Sequence, residues 1–146
     1  MSDFRKLTDS MWASPQVSTQ DVAAAARQGV SLLINNRPDG EEEGQPSGDE
    51  IAAAASANGM DYVAIPVGHA GFGDAQVQAM ADALDKADGT ALAYCRSGTR
   101  STFLWALAQA NRGEDPAHLI RAAQGAGYDL SPIAPTLDML ATKARG

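Results

Sequence analysis

The sequence has 146 residues, of which 45% are hydrophobic and 20% are charged, and its formal net charge at pH 7 is −7. This length and composition predict one globular domain, which we assign to residues 1–146. The negative charge argues against nucleic acid or an anionic membrane surface as the main partner, because both would repel the chain.

Short apolar runs alternate along the chain with alanine-rich helical stretches, as in α/β domains. The apolar runs predict strands at residues 4–8, 11–14, 30–34, 62–67 and 91–94. The helical stretches lie at residues 19–28, 49–58, 74–86, 101–111, 115–124 and 131–143. We expect the last three strands to lie side by side in a mostly parallel sheet flanked by helices. Cys95 would then lie at the carboxyl edge of the sheet, where open α/β sheets bind their ligands.

Two loops between these elements carry polar side chains. Residues 35–47 contain the turn sequence Arg37-Pro38-Asp39-Gly40, and the three glutamates that follow it, residues 41–43, are expected to be solvated. Residues 68–73 form a second, flexible loop that contains His69. Asp74 follows this loop and is predicted to be the N-cap of the next helix.

A cysteine loop follows the last apolar strand and reads Cys-Arg-Ser-Gly-Thr-Arg-Ser over residues 95–101. Gly98 lets the backbone turn so that successive N–H groups converge on one point, toward which the following helix aims its positive end. Arg100 offers a planar, two-pronged donor to a tetrahedral oxyanion, and the same donors stabilise Cys95 as the nucleophilic thiolate. The pattern therefore predicts an enzyme with Cys95 and Arg100 as its catalytic residues. The residues expected to bind the anion beside them are Arg96, Ser97, Gly98, Thr99 and Ser101.

The single cysteine also limits the alternatives. Cys95 has no partner for an intrachain disulfide, and one cysteine cannot build a zinc ribbon. A lone cysteine in a reducing compartment serves either packing or chemistry, and its neighbours in the loop favour chemistry. We expect no metal and no cofactor.

Several segments of the sequence resemble the phosphatase-like domain of beta-lactamase-hydrolase-like proteins. The resemblance is carried by residues 93–101 and 104–107, and earlier by residues 7–8, 34–41 and 62–67. It covers the chain from about Phe4 to Leu140. It implies a fold similar to the dual-specificity protein tyrosine phosphatases, an α/β sandwich around a four- or five-stranded sheet. Members of that family carry the domain alone or joined to a metallo-hydrolase that oxidises persulfides.

The resemblance also places the loop that contains Arg37 near the rim of the pocket. Arg37 could steer an anionic substrate there, or it could pair with Asp39. The alternative is an ordinary surface turn with solvated charges.

Three local features favour sulfur transfer over phosphate hydrolysis. Four residues separate Cys95 from Arg100, whereas tyrosine phosphatases carry five, and the shorter spacing looks like the active loop of rhodanese sulfurtransferases. Tyr94 precedes the cysteine, where tyrosine phosphatases usually have a histidine. Phosphoester cleavage also benefits from a general acid, and the loop expected to supply it offers only Asp74, which suits a helix cap better, and His69, which is a weaker candidate.

The leading interpretation is therefore a sulfurtransferase in which Cys95 takes sulfur from thiosulfate or a persulfide and passes it to an acceptor thiol or cyanide. The alternative is a phosphatase that acts through a phosphocysteine at Cys95. A third interpretation is a non-catalytic binder of anions or phosphopeptides, although a binder has no need of a nucleophile. In all three the partner is a small anionic group rather than nucleic acid or a membrane.

The expected location is the cytoplasm. No apolar run approaches the length that spans a bilayer, and the N-terminal residues lack the apolar stretch and cleavage site of a secretory signal.

Overall fold

Five strands form one sheet in the computed structural model, which describes residues 2–146. They are β1 (Arg5–Thr8), β2 (Met11–Ser14), β3 (Val30–Asn35), β4 (Asp61–Ala64) and β5 (Thr90–Tyr94). Their order across the sheet is β1-β2-β5-β3-β4. β1 pairs with β2 as an antiparallel hairpin, and all other neighbours are parallel. The fold is therefore α/β with a mostly parallel sheet, as the sequence predicts.

Six α-helices cover the sheet within the described residues. They are α1 (Thr19–Arg27), α2 (Gly48–Ala57), α3 (Asp74–Lys86), α4 (Thr99–Asn111), α5 (Pro116–Gly125) and α6 (Ala134–Arg145), the last preceded by a 3-10 turn at Ser131–Ile133. Helices α1 and α2 pack on one face of the sheet, and α3 to α6 pack on the other. None of the helices described is long and apolar enough to cross a membrane. The cytoplasmic location stays a prediction.

The central strand β5 is buried on both faces, which explains why its sequence is almost entirely apolar. Ala91 and Ala93 face the core beneath α3 to α6, whereas Leu92 and Tyr94 face the core beneath α1 and α2. Truncation of a fully buried leucine such as Leu92 to alanine is expected to cost about 2–5 kcal/mol of unfolding free energy. The two cores hold β5 in place, and with it the start of the cysteine loop.

The predicted neighbour relation of the three strands is confirmed. β5 lies beside β3, which lies beside β4, and Cys95 follows directly at the carboxyl end of β5. β4 ends at Ala64, earlier than predicted, although the Ile65 and Val67 N–H groups still donate to the Asn35 and Asn36 carbonyls at the end of β3.

Helix α3 spans residues 74–86 as predicted, but its cap differs from the prediction, and so does the start of α4. Helix α4 begins at Thr99 and not at residue 101, because Gly98 adopts a left-handed conformation that turns the chain directly into the helix. The N-cap of α3 is Gly73 and not Asp74, which is the first helical residue. The Gly73 N–H donates to the Gln76 side chain over 2.7 Å, so this helix start does not require an aspartate cap.

Candidate active site

Cys95 is the first residue after β5, and its side chain is fully buried. Its N–H donates to the Ser14 carbonyl at the end of β2 over 3.4 Å. The Sγ atom accepts a hydrogen bond from the Gly98 N–H over 3.1 Å. Because a hydrogen bond to the charged form of a group favours that form, this contact stabilises the thiolate. Since Cys95 has no exposed surface, a substrate can reach Sγ only after a local movement of the groups around it.

Gly98 has a backbone conformation that other residues rarely adopt. Its φ angle is +94°, in the left-handed region, and it is the N-cap of α4. A Cβ atom at this position would also collide with the Tyr128 hydroxyl. The first N–H groups of α4 follow directly, and they have no acceptor within the helix. Of the backbone donors of the cysteine loop, the Gly98 N–H points at Cys95 Sγ, whereas the Thr99 N–H donates to the Ser97 hydroxyl over 3.3 Å. That the loop binds an anion stays a prediction.

Arg100 lies in the first turn of α4 and is held by three hydrogen bonds. Its Nη1 and Nη2 atoms donate to the two carboxylate oxygens of Glu41, each over 2.7 Å, and Nη1 also donates to the Val67 carbonyl over 2.8 Å. A guanidinium group has five N–H donors. The Nε–H and one Nη2–H of Arg100 remain for a ligand.

The Glu41–Arg100 pair shifts the pKa values of both groups. The pKa of Glu41 falls to about 2, chiefly because of its hydrogen bonds with Arg100 and then because of Arg37. The pKa of Arg100 is raised, first by Glu41 and further by the neighbouring Cys95, while burial acts in the opposite direction. Both groups are therefore charged at neutral pH. Glu41 is exposed, as expected for residues 41–43, but its carboxylate also pairs with Arg37 and Arg100, which the sequence did not predict.

Arg37 is buried, with only 3% of its surface exposed, so it does not lie on an exposed turn. Its Nε donates to Glu41 over 2.9 Å, and Nη1 donates to the Gln16 side chain over 3.0 Å. Glu42 lies 3.5 Å from Nη2, close enough for an ion pair but without hydrogen-bond geometry. Asp39 accepts instead from the Gly48 N–H. The suggested Arg37–Asp39 pair is thus replaced by Arg37–Glu41.

The remaining loop residues differ in exposure. The Arg96 side chain is 67% exposed and contacts Glu42 over 3.2 Å. Ser97 is also exposed, and its hydroxyl donates to that of the half-buried Thr99 over 3.0 Å. Ser101 is fully buried, and its hydroxyl has no hydrogen-bond partner in the described part of the chain. Ser101 therefore makes no hydrogen bond to Cys95 Sγ, and its predicted role in anion binding stays a prediction.

A cleft of about 660 Å³ opens beside the cysteine loop. Arg96, Arg100, His69 and Asp39 are among the residues that line it. Asp74 does not line this cleft but a separate one between α3, α4 and α6. Of the two candidate acids named from sequence, the structure thus brings His69 to the cleft that Arg100 lines and leaves Asp74 outside it.

Sequence reasoning missed three contacts of the site. It gave no role to Glu41 as the partner of Arg100, to Gln16 as the partner of Arg37, or to Tyr128, which donates to the Ser97 carbonyl over 3.1 Å. Glu41 lies 59 positions from Arg100, so no local spacing in the sequence signals that pair. Nothing in the sequence near Tyr128 points to the cysteine loop, because the contact spans 31 residues. Within residues 2–146, no cluster of three potential metal ligands is present.

Comparison with solved structures identifies the fold. A protein from Neisseria meningitidis, provisionally assigned as a phosphatase, is 32% identical, with a TM-score of 0.84 over 96% of this chain and 99% of that one. TpbA from P. aeruginosa, solved with phosphotyrosine bound, is 17% identical and has a TM-score of 0.67, covering 99% of this chain and 91% of its own. Tk-PTP is 14% identical with a TM-score of 0.74, and 97% of each chain is covered. The fold is that of the protein tyrosine phosphatases.

Curated relatives share the same sequence region. The beta-lactamase hydrolase-like proteins of Agrobacterium fabrum and Xylella fastidiosa (strain Temecula1) are each 35% identical, over 74% and 85% of this chain. The matched part is 25% and 29% of those proteins, so the chain spans only about a quarter of the length of these relatives.

The sulfurtransferase interpretation was wrong, and with it thiosulfate as donor and a thiol as acceptor. The similar proteins are phosphatases or phosphatase-like, and the structure has the fold of tyrosine phosphatases. The number of residues between Cys95 and Arg100 was given too much weight. It is a local property of one loop, whereas the strand order that defines the fold arises from contacts across the whole chain.

A sequence model of one family matches residues 3–112. That region includes the whole sheet and the cysteine loop. The chain therefore belongs to the family of the beta-lactamase hydrolase-like protein, phosphatase-like domain.

Proposed function

We propose that this chain is a cysteine-dependent phosphatase that hydrolyses phosphomonoesters. The single observation that carries the proposal is the contact of the Cys95 sulfur with the Gly98 N–H, next to an arginine that retains two free donors. In this proposal Cys95 is the nucleophile, and Arg100 binds the phosphoryl group that it attacks. The family and the phosphotyrosine-bound structural neighbour support a small phosphoester as substrate.

The proposed first step is an in-line displacement at phosphorus. The Cys95 thiolate forms an S–P bond while the P–O bond to the leaving group breaks, and the leaving oxygen takes a proton from a general acid. The free Nε–H and Nη2–H of Arg100 and the N–H groups at the start of α4 hold the non-bridging oxygens. In the second step water attacks phosphorus, the S–P bond breaks, and the proton lost by water returns to the acid. Inorganic phosphate leaves, and Cys95 is regenerated as thiolate.

We assign the role of the acid to His69. It lines the same cleft as Arg100, and imidazole is the side chain that most often transfers protons in enzymes. Asp39 is the second candidate, since it lines this cleft too and uses one carboxylate oxygen to accept from Gly48. Glu41 is unsuitable, because a group with a pKa of about 2 carries no proton to donate near neutral pH.

The test is hydrolysis of an aryl phosphate by the wild type and by two variants, Cys95→Ser and Arg100→Lys. Cys95→Ser should lose turnover but keep phosphate binding, because the backbone and Arg100 form the cradle. Arg100→Lys should lose both turnover and most phosphate affinity, since a point charge cannot replace a planar two-pronged donor. Acid-quenched wild type should carry one phosphoryl group on Cys95 by mass spectrometry. Phosphate binding without any turnover in the wild type would instead indicate the non-catalytic binder and would refute the proposal.

A further inference from the structure

Tyr128 contacts the cysteine loop from outside the region that the family model matches. It follows α5 in the chain and is buried, with 6% of its surface exposed. Its hydroxyl donates to the Ser97 carbonyl over 3.1 Å. The matched region ends at residue 112, so the C-terminal helical part of the chain supplies this contact.

The contact acts on the peptide unit that faces Cys95. The Ser97 carbonyl and the Gly98 N–H belong to the same peptide unit, and no peptide bond in the described chain is cis. In a planar trans unit these two groups point in opposite directions. Tyr128 holds the carbonyl on one side, and on the other side the Gly98 N–H points at Cys95 Sγ over 3.1 Å.

The opposite orientation of this peptide unit would destabilise the Cys95 thiolate. If the unit rotated, the Ser97 carbonyl oxygen would turn toward the sulfur and repel a thiolate. Gly98 offers little resistance to such a rotation, because glycine populates both signs of φ with similar ease. The next peptide unit is already fixed, since the Gly98 carbonyl accepts from the Thr102 N–H over 3.0 Å and from the Thr102 hydroxyl over 2.8 Å.

Tyr128 packs beneath the Arg5 guanidinium, which lies over its ring at 5.1 Å from the centroid. Burial raises the pKa of Tyr128 above its ordinary value, so the hydroxyl keeps its proton throughout the pH range in which a cysteine thiol titrates.

We propose that Tyr128 is a positioning residue that orients the Ser97–Gly98 peptide and thereby stabilises the Cys95 thiolate. The inference rests on the proposed function in so far as that thiolate is the nucleophile of the phosphatase reaction. It assigns part of the active-site machinery to the segment that follows the family match.

The experiment is an ultraviolet titration of the thiolate in the full chain. The chain has one cysteine, so the thiolate absorbance belongs to Cys95, and Cys95→Ser provides the blank. Replacement of Tyr128 by phenylalanine, or by 4-fluorophenylalanine, removes the donor and keeps the ring. 4-Aminophenylalanine keeps a donor at the same position. The two analogues fill the space of the tyrosine, so their comparison separates hydrogen bonding from packing even if the phenylalanine variant folds poorly.

We expect the titration midpoint to rise by about one pH unit in the two variants without a donor, because a hydrogen bond to a charged group is worth a pKa unit or more. The 4-aminophenylalanine protein should titrate close to the wild type. Tyr62→Phe is the matched control. This substitution also removes a tyrosine hydroxyl with a 2.9 Å hydrogen bond, which it accepts from Asn35, but that bond lies outside the cysteine loop. The midpoint of this variant should not change. In the variants without a donor, kcat/KM for an aryl phosphate, measured well below the wild-type titration midpoint, should fall about tenfold, in proportion to the thiolate lost.

Equal midpoints for the 4-fluoro and 4-amino proteins would overturn the inference, whatever their phosphatase activity. A shifted midpoint in a chain that hydrolyses no phosphoester would leave the role of Tyr128 intact and refute the proposed function instead.

Discussion

Both carboxylate oxygens of Glu41 bind the guanidinium of Arg100, each over 2.7 Å, although the two residues are 59 positions apart in the chain. Arg37 donates to the same carboxylate over 2.9 Å. Glu41 thus lies between a buried arginine and the arginine proposed to bind phosphate. It occupies two of the five donors of Arg100, so it orients the guanidinium while leaving donors free for a ligand.

Removal of the charge on Glu41 should weaken catalysis. In Glu41→Gln, Arg100 loses the charged bidentate partner and keeps the Val67 carbonyl and one amide oxygen as acceptors, so its free donors are less well oriented. We expect kcat/KM for an aryl phosphate to fall roughly tenfold, because the pair is partly exposed and its strength is reduced by solvent. Steady-state kinetics measures the effect. Glu43→Gln is the control, since Glu43 is exposed and lies two positions away. A rise in kcat/KM would show that Glu41 competes with substrate for Arg100.

The same ion pair should make stability depend on pH. The pKa of Glu41 falls from 4.5 to about 2 on folding, so the unfolded chain binds the proton more readily than the folded chain does. The stabilisation is present above pH 4.5 and is lost as the pH falls from there to about 2. The difference in unfolding free energy between wild type and Glu41→Gln should therefore be largest near neutral pH, below about 1 kcal/mol for a partly exposed pair, and should shrink in acid. Denaturant titrations at pH 7, 4 and 2.5 would measure this difference in unfolding free energy. A difference that does not change with pH would contradict the lowered pKa of Glu41.

The glycine at position 98 should tolerate no side chain. Gly98→Ala combines a left-handed φ of +94° with a collision against the Tyr128 hydroxyl. Gly29→Ala is a matched control, because Gly29 has a φ of +95° with open space where a Cβ would lie. We expect Gly29→Ala to cost about 1–2 kcal/mol and keep activity, whereas Gly98→Ala should lose more stability and at least 100-fold in kcat/KM, on the order of a lost oxyanion donor. If Gly98→Ala and Gly29→Ala lowered the melting temperature and kcat/KM equally, backbone strain alone would account for both effects.

The leaving group should reveal the general acid. A leaving oxygen of high basicity needs a proton during P–O cleavage, whereas an activated nitrophenolate does not. His69→Asn should therefore lower kcat/KM about 100-fold or more for phenyl phosphate and only slightly for a dinitrophenyl phosphate. Asp74→Asn should affect neither, since Asp74 lines another cleft. If the leaving-group dependence is unchanged in His69→Asn but altered in Asp39→Asn, the acid is Asp39.

Much of the active loop could be predicted because its parts are contiguous in the sequence. A buried strand, a cysteine, a glycine and a helix start follow one another over residues 90–101, and local backbone preferences suffice to place Cys95 at a strand end before a helix. The alternation of apolar runs with helical stretches likewise predicts a mostly parallel sheet. Each strand and helix can be identified from the pattern of apolar residues within its own segment. The loop is therefore predicted to be an anion site, and the family resemblance is confirmed.

The partners of that loop were decided only by the tertiary structure. Glu41, Val67 and Tyr128 reach the loop across 59, 33 and 31 positions, and no local periodicity encodes which side chains will meet across such distances. For the same reason a local count of residues between Cys95 and Arg100 led to sulfur chemistry, while the strand order matched a phosphatase fold. Sequence by itself determined where Cys95 and the cysteine loop lie, because these depend on neighbouring residues. The folded chain determined which side chains hold Arg100 and the Ser97–Gly98 peptide in place, because those contacts exist only once distant segments have packed together.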